Sequence, residues 1–162
     1  MSSNPATRRL PVFFAIVVAL MLAIAPVTGS VQPYWPDWVL LTLIYWALAL
    51  PHHYGVGVAW LTGLVVDVAH GTLLGQHALA MSAVVYLTVR FHLQLRVFPL
   101  SQLTMTVFAL LGIYQFLLFW INGVAGISAP GAQYWGPVLT GTLVWPLVYW
   151  VSGLVNVRRS RA

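Results

Sequence analysis

An all-α polytopic membrane protein, with six transmembrane helices and both termini in the cytoplasm, is the fold class this sequence predicts. Three observations carry that prediction. Of 162 residues, 60% are hydrophobic and 6% charged, with a mean hydropathy of +0.88; a soluble domain of this size has no interior large enough for so much apolar surface. All seven basic residues are arginine and fall in three clusters: Arg8 and Arg9, then Arg90 and Arg96, then Arg158, Arg159 and Arg161. Flanking apolar segments, such clusters set topology and mark cytoplasmic ends. The arginine-free connections at 29–37 and 123–136 carry or adjoin Tyr34, Trp35, Trp38, Trp120, Tyr134 and Trp135, as segments at a membrane–water boundary do. One integral membrane domain over 1–162 is expected, without a soluble lobe.

The first apolar run, 10–27, follows Arg8-Arg9. A secretory signal shares that charged start and the Ala23-Ile-Ala25 pattern, but Pro26 directly after the cut favours a retained spanning helix. The proline in Leu10-Pro11-Val12 is unlike a twin-arginine signal. Ala15, Ala19 and Ala23 give this helix a small face. In the loop that follows, Asp37 precedes the next apolar run and reads as a helix N-cap. The second helix, 38–50, ends at Pro51-His52-His53. It rises only about 20 Å, short of a roughly 30 Å hydrocarbon core, so flanking interfacial residues or a locally thinned bilayer are expected. A third helix covers 54–71, a tight turn 72–76, and a fourth helix 77–90. A connector over 91–101 holds Arg96 and Pro99; the fifth helix covers 103–122 and the sixth 137–157. His52, His53 and His92 are expected to face headgroups. Four helices between the first two arginine clusters and two between the last pair keep every cluster on one side of the membrane, as the charge rule requires.

The segment Gly63-Leu-Val-Val-Asp67-Val-Ala-His70-Gly71-Thr-Leu-Leu-Gly75-Gln-His77 holds the one carboxylate embedded in an apolar run. Gly55, Ala59, Gly63, Asp67, Gly71 and Gly75 recur every four residues, which puts neighbours on nearly the same helix face. In lipid, such small faces let backbones approach closely, and an ionisable residue within one is a candidate functional site. Asp67 lies in the outer half of the membrane in this topology, too far from Arg90 to pair. His70, Thr72, Gln76, His77 or another chain are its candidate partners; without one, burial favours the protonated acid. Three roles stay open: pinning the helix end through neighbouring backbone, binding a partner, or ion and proton traffic. A metal site from Asp67, His70 and His77 lacks a supporting acid, and no metal or cofactor is expected.

Composition excludes several chemistries. Without Cys there are no disulfides or thiolate sites, and without Glu no His-Glu-x-x-His metalloprotease. Without Lys there is no phosphate loop of the Gly-Lys-Ser/Thr kind. Asp37 and Asp67 lack the Gly-x-Gly-Asp setting of intramembrane aspartyl proteases, and Ser152-Gly153 lacks the Gly-x-Ser-Gly of rhomboids. The chain is therefore read as non-catalytic. A nucleic-acid partner is not expected, since the arginines sit at segment ends.

Residues 36–52, Pro-Asp-Trp-Val-Leu-Leu-Thr-Leu-Ile-Tyr-Trp-Ala-Leu-Ala-Leu-Pro-His, together with Gly55-Val-Gly57, the Gly63-x-x-x-Asp67-x-x-x-Gly71-x-x-x-Gly75 series and the weaker Gly141-Thr-Leu-Val-Trp-Pro146, resemble the MreD family of bacterial rod-shape-determining membrane proteins. The match is strongest over residues 33–90. It departs after Pro51-His52, where the family pattern carries Arg and this chain His53. The resemblance implies a scaffold of the inner membrane rather than an enzyme. Its implied partners are the membrane helix of MreC, the elongation glycosyltransferase–transpeptidase pair and MreB. It also implies a six-helix fold similar to the substrate-binding membrane subunits of vitamin (ECF-type) transporters. On this reading Gly63, Asp67, Gly71, Gly75 and His77 bind a partner helix, and lateral peptidoglycan synthesis is the process regulated. The alternative is a small-molecule-binding subunit of a transporter, which requires a pocket with several polar groups.

Overall fold

The computed structural model describes residues 5–26, 29–127 and 131–160. Among these residues seven helices follow one another: α1 Pro5–Ile24, α2 Trp38–Ala49, α3 Val56–His70, α4 Gln76–Arg90, α5 His92–Val97, α6 Leu100–Val124 and α7 Gly136–Ser160. Short 3-10 turns, Gly29–Tyr34 and Ala132–Trp135, occupy the two arginine-free loops, and no strand occurs among the described residues. Six of the helices correspond to the expected six. The seventh, α5, lies in what the sequence presented as a plain connector. Val27, the last residue of the expected first helix, and Arg161 fall outside the described residues.

The ends of these helices follow from local chemistry. Asp37 caps α2, its Oδ1 accepting the Leu40 N–H at 3.0 Å, as the sequence indicated. Pro99 precedes α6, and α3 stops at Gly71, whose φ of +64° a side chain would oppose. Helix α2 ends at Ala49, where two outward-pointing carbonyls meet Arg96 on α5. Its Nε donates to Leu48 O and its Nη2 to Ala49 O, both at 2.8 Å. A cation on orphan carbonyls at a helix C-terminus is favourable twice over, through the hydrogen bonds and the helix dipole.

Helix α2 is the centre of the bundle. Nine of its twelve residues are buried, from Val39 to Leu48, and α1, α4 and α7 pack around it. A helix apolar on every face belongs inside, so its short length meets neighbouring helices rather than lipid. The Ala15, Ala19 and Ala23 face of α1 packs toward this core. Around α2, helices α3 with α4, α4 with α6, and α6 with α7 are paired.

Outward faces remain apolar: Met105 is 70% exposed, Leu143 80% and Phe14 69%. Contiguous surface of that kind is unsuited to water. Helix α6, and the segment Ala132–Val155 covering most of α7, are long and apolar enough to cross a membrane; Val12–Ile24 and Val56–His70 are shorter apolar helices.

Candidate functional site

The series of small residues does not run along one helix. Gly55 precedes α3, Ala59, Gly63 and Asp67 lie on it, Gly71 is its C-cap and Gly75 the N-cap of α4. The chain turns back between them, so the drifting helical stripe expected from the spacing is replaced by a hairpin. Gly63 faces α4: a Cβ there would run into the backbone of His77 and Ala78. The small face is thus used within the chain, bringing α3 and α4 together at their backbones. Gly71 and Gly75, with φ of +64° and +97°, supply the left-handed conformations that reverse the chain.

Asp67 seals this turn. It is fully buried, and its Oδ1 accepts from Thr72 Oγ1 at 3.0 Å, His77 N at 2.9 Å and His77 Nδ1 at 2.8 Å. Its Oδ2 accepts from Gly75 N at 2.8 Å and Ala78 N at 3.4 Å. The physical reason is at the start of α4. Its N-cap, Gly75, has no side chain to offer, yet the first amides of any helix need acceptors. Asp67 reaches across from α3 and caps α4 in its place, with the carboxylate at the positive end of the helix dipole. Thr72 and His77 are partners the sequence named, and the backbone amides fit the first of the three roles it left open, pinning a helix end through neighbouring backbone. His70 is elsewhere: its Nδ1 lies 3.1 Å from Val66 O and its ring stacks on His77 with centroids 5.9 Å apart. The five bonds meet an acceptor-only group, so the premise for a neutral acid, an absence of partners, does not hold. Among the described residues no three metal-ligating side chains gather.

Beyond Asp67 lies a cavity of about 710 Å³. Its lining takes the C-terminal ends of α1, α3 and α6 and the N-terminal ends of α2, α4 and α7. The six helices therefore alternate in direction, and Arg90 and Arg96 lie at the opposite end of the bundle from the cavity. Tyr114, Gln76 and Gln115 are buried at its wall. Two contacts fix its rim: Trp35 Nε1 donates to Leu22 O at 3.1 Å, and Gln115 Nε2 donates to Tyr134 O at 2.8 Å. The sequence named Trp35 and Tyr134 as interfacial aromatics and Gln76 as a candidate partner of Asp67; Tyr114 and Gln115 it did not single out. Their signal is only the recurrence of amides and aromatics near the ends of several segments.

The sequence model described as rod shape-determining protein MreD matches residues 7–158. The chain belongs to the MreD family. It is 31% identical over 137 residues to the rod shape-determining protein MreD of Haemophilus influenzae, with 82% of each chain covered. No solved structure matches it. Membership of MreD implies a part in determining rod shape, and the apolar exterior suits a membrane-associated protein. The match takes in α6 and most of α7 as well as the 33–90 region from which the resemblance was read.

Proposed function

We propose that this MreD chain crosses the inner membrane six times, through α1, α2, α3, α4, α6 and α7. Both termini and the short α5 lie on the cytoplasmic side. The whole forms a single membrane domain, with the fold of the substrate-binding subunits of vitamin transporters. Arginines at one end of the alternating helices support that orientation.

In this reading the chain is a non-enzymatic scaffold of the elongation machinery. It binds the membrane helix of MreC, acts beside the glycosyltransferase–transpeptidase pair and MreB, and helps regulate lateral peptidoglycan synthesis. The observation that carries the binding role is the α3–α4 hairpin. Gly63, Asp67, Gly71, Gly75 and His77 hold it rigid, while Val68, Leu73 and Leu74 beside its turn stay exposed. A preorganised apolar ridge loses little freedom on binding, and packing with a few hydrogen bonds of about 1 kcal/mol each suffices for helix association in lipid. The transporter-subunit alternative has one observation in its favour, the outer cavity.

The test is purification of the tagged chain from its native membrane, wild type beside Val68→Trp with Leu74→Trp. Both side chains point away from the hairpin interior, so the fold is expected to persist. MreC should accompany wild type and fall at least tenfold with the double variant. Equal recovery would remove the hairpin from the contact, and no MreC with wild type would remove the scaffold role.

A further inference from the structure

A carboxylate, Asp37, and two phenols, Tyr114 and Tyr134, line the cavity. Tyr114 is buried at its wall, and its hydroxyl makes no hydrogen bond of ordinary geometry. A buried phenol normally finds a partner, and for Tyr114 that partner is a carboxylate on the cavity wall. The side chain of Asp37 interacts with Tyr114, and its Oδ1 also caps α2 through Leu40 N. A carboxylate offers about four lone-pair sites, so one amide and one phenol leave Asp37 with acceptor capacity. Tyr134, at the rim, brings a second phenol, which interacts with the Asn122 side chain. Trp35 completes an aromatic wall.

Charge narrows what fits. Among the described lining residues there is no Arg, while both acids of the chain, Asp37 and Asp67, lie at or beneath the surface of the cavity. An anion would find no permanent cation, only the imidazoles of His70 and His77, and would meet a carboxylate. A hydrated metal ion would find one carboxylate with acceptor capacity to spare, since Asp67 is committed to α4. Much of the remaining surface is apolar, including Val66, Leu111 and Leu118. A carboxylate, aromatic faces and apolar walls together are the chemistry that recognises an organic ammonium group. The volume lies within the range of small-molecule sites.

We propose that this outer cavity binds a small organic ammonium group, paired with the Asp37 carboxylate and the Tyr114 hydroxyl against Trp35 and Tyr134. The group is carried either by a soluble amine or by an ethanolamine lipid headgroup. The inference concerns this cavity alone and is independent of the hairpin contact with MreC.

The experiment uses the full chain in nanodiscs of phosphatidylglycerol, which offers no ammonium group. Tryptophan emission is titrated with choline chloride, with sodium chloride, sodium phosphate and N-acetylglucosamine as controls. Asp37→Asn removes the charge while keeping a good N-cap, and Tyr114→Phe keeps the ring, so both variants are expected to melt as wild type does. Choline should give a saturable change, absent with the controls and weakened at least tenfold in each variant. Nanodiscs containing phosphatidylethanolamine separate the two sources. A lowered apparent affinity for choline points to the lipid headgroup, and an unchanged one to a soluble amine. Saturation by phosphate or by the sugar in place of choline, no saturation at all, or equal binding by both variants would overturn the assignment.

Discussion

At Asp67 five donors converge on two oxygens, three of them backbone amides around the start of α4. The side chain therefore bears on how the chain turns as well as on what binds there. Asp67→Ala would strand those amides in a buried setting, at about 1–3 kcal/mol for each group left without a partner. We expect a loss of 3 kcal/mol or more in total, and about half that for Asp67→Asn, which keeps one acceptor oxygen. Thermal unfolding of the purified chain reads the loss. Hydrogen exchange locates it, because amides 75–79 should exchange faster in Asp67→Ala while the centre of α2 does not. Unchanged exchange at those amides would separate Asp67 from the cap. At this scale the sequence was informative in part. The setting of Asp67 in an apolar run singled it out, and its nearness to Thr72 and His77 named two true partners. Pinning a helix end through backbone was one of the roles left open, but which end was hidden, because that depends on Gly75 falling at the N-cap of α4, and helix boundaries read from sequence are uncertain by a residue or two.

Helix pairing tests the role of the small residues. Gly63 and Gly57 both lie on α3, but only Gly63 faces the α4 backbone; around Gly57 there is open space. Gly63→Ala should cost about 1–3 kcal/mol through overpacking. Gly57→Ala should be neutral or stabilise by up to about 1 kcal/mol, as helix propensity gives. Melting temperatures of the two variants provide the check, and equal temperatures would mean that the helices do not meet at Gly63. The spacing of glycines announced close packing but not its partner, since a four-residue period describes a face and says nothing of what covers it. The reversal at Gly71 was legible from the turn residues 72–76, yet it conflicts with one continuous stripe through Gly75, and the turn chemistry prevailed. Helix α2 offered a clearer signal than its length. Leu-Ile-Tyr-Trp-Ala-Leu-Ala-Leu has no polar face, which belongs to a helix surrounded by others. Helix α5 was missed because six residues are too few to show a helical period; its position is held by Leu95, which is buried, and by Arg96 on the carbonyls of α2.

For the molecule as a whole, charge carried the most information. Seven arginines in three clusters implied an even number of crossings between them, and the described helices alternate in the sense that this parity demands. What charge could not give was the cavity, because its walls come from six segments spread between Ala23 and Val138. No local pattern reports that those ends converge. Arg96 shows the same limit. Read as a topology signal, it also caps a helix 47 and 48 residues away.

The orientation of the bundle decides whether the cavity faces outward and whether the arginines face the cytoplasm, and the scaffold account depends on both. The native chain has no cysteine, so single cysteines report cleanly. The measurement is labelling by a membrane-impermeant maleimide in spheroplasts and again after lysis. Leu73→Cys lies in the α3–α4 turn, and Val97→Cys, at a site 83% exposed, lies on α5. Leu73→Cys should label in intact spheroplasts, and Val97→Cys only once they are opened. Labelling of Val97→Cys from outside, or protection of Leu73→Cys until lysis, would contradict the topology on which the account stands.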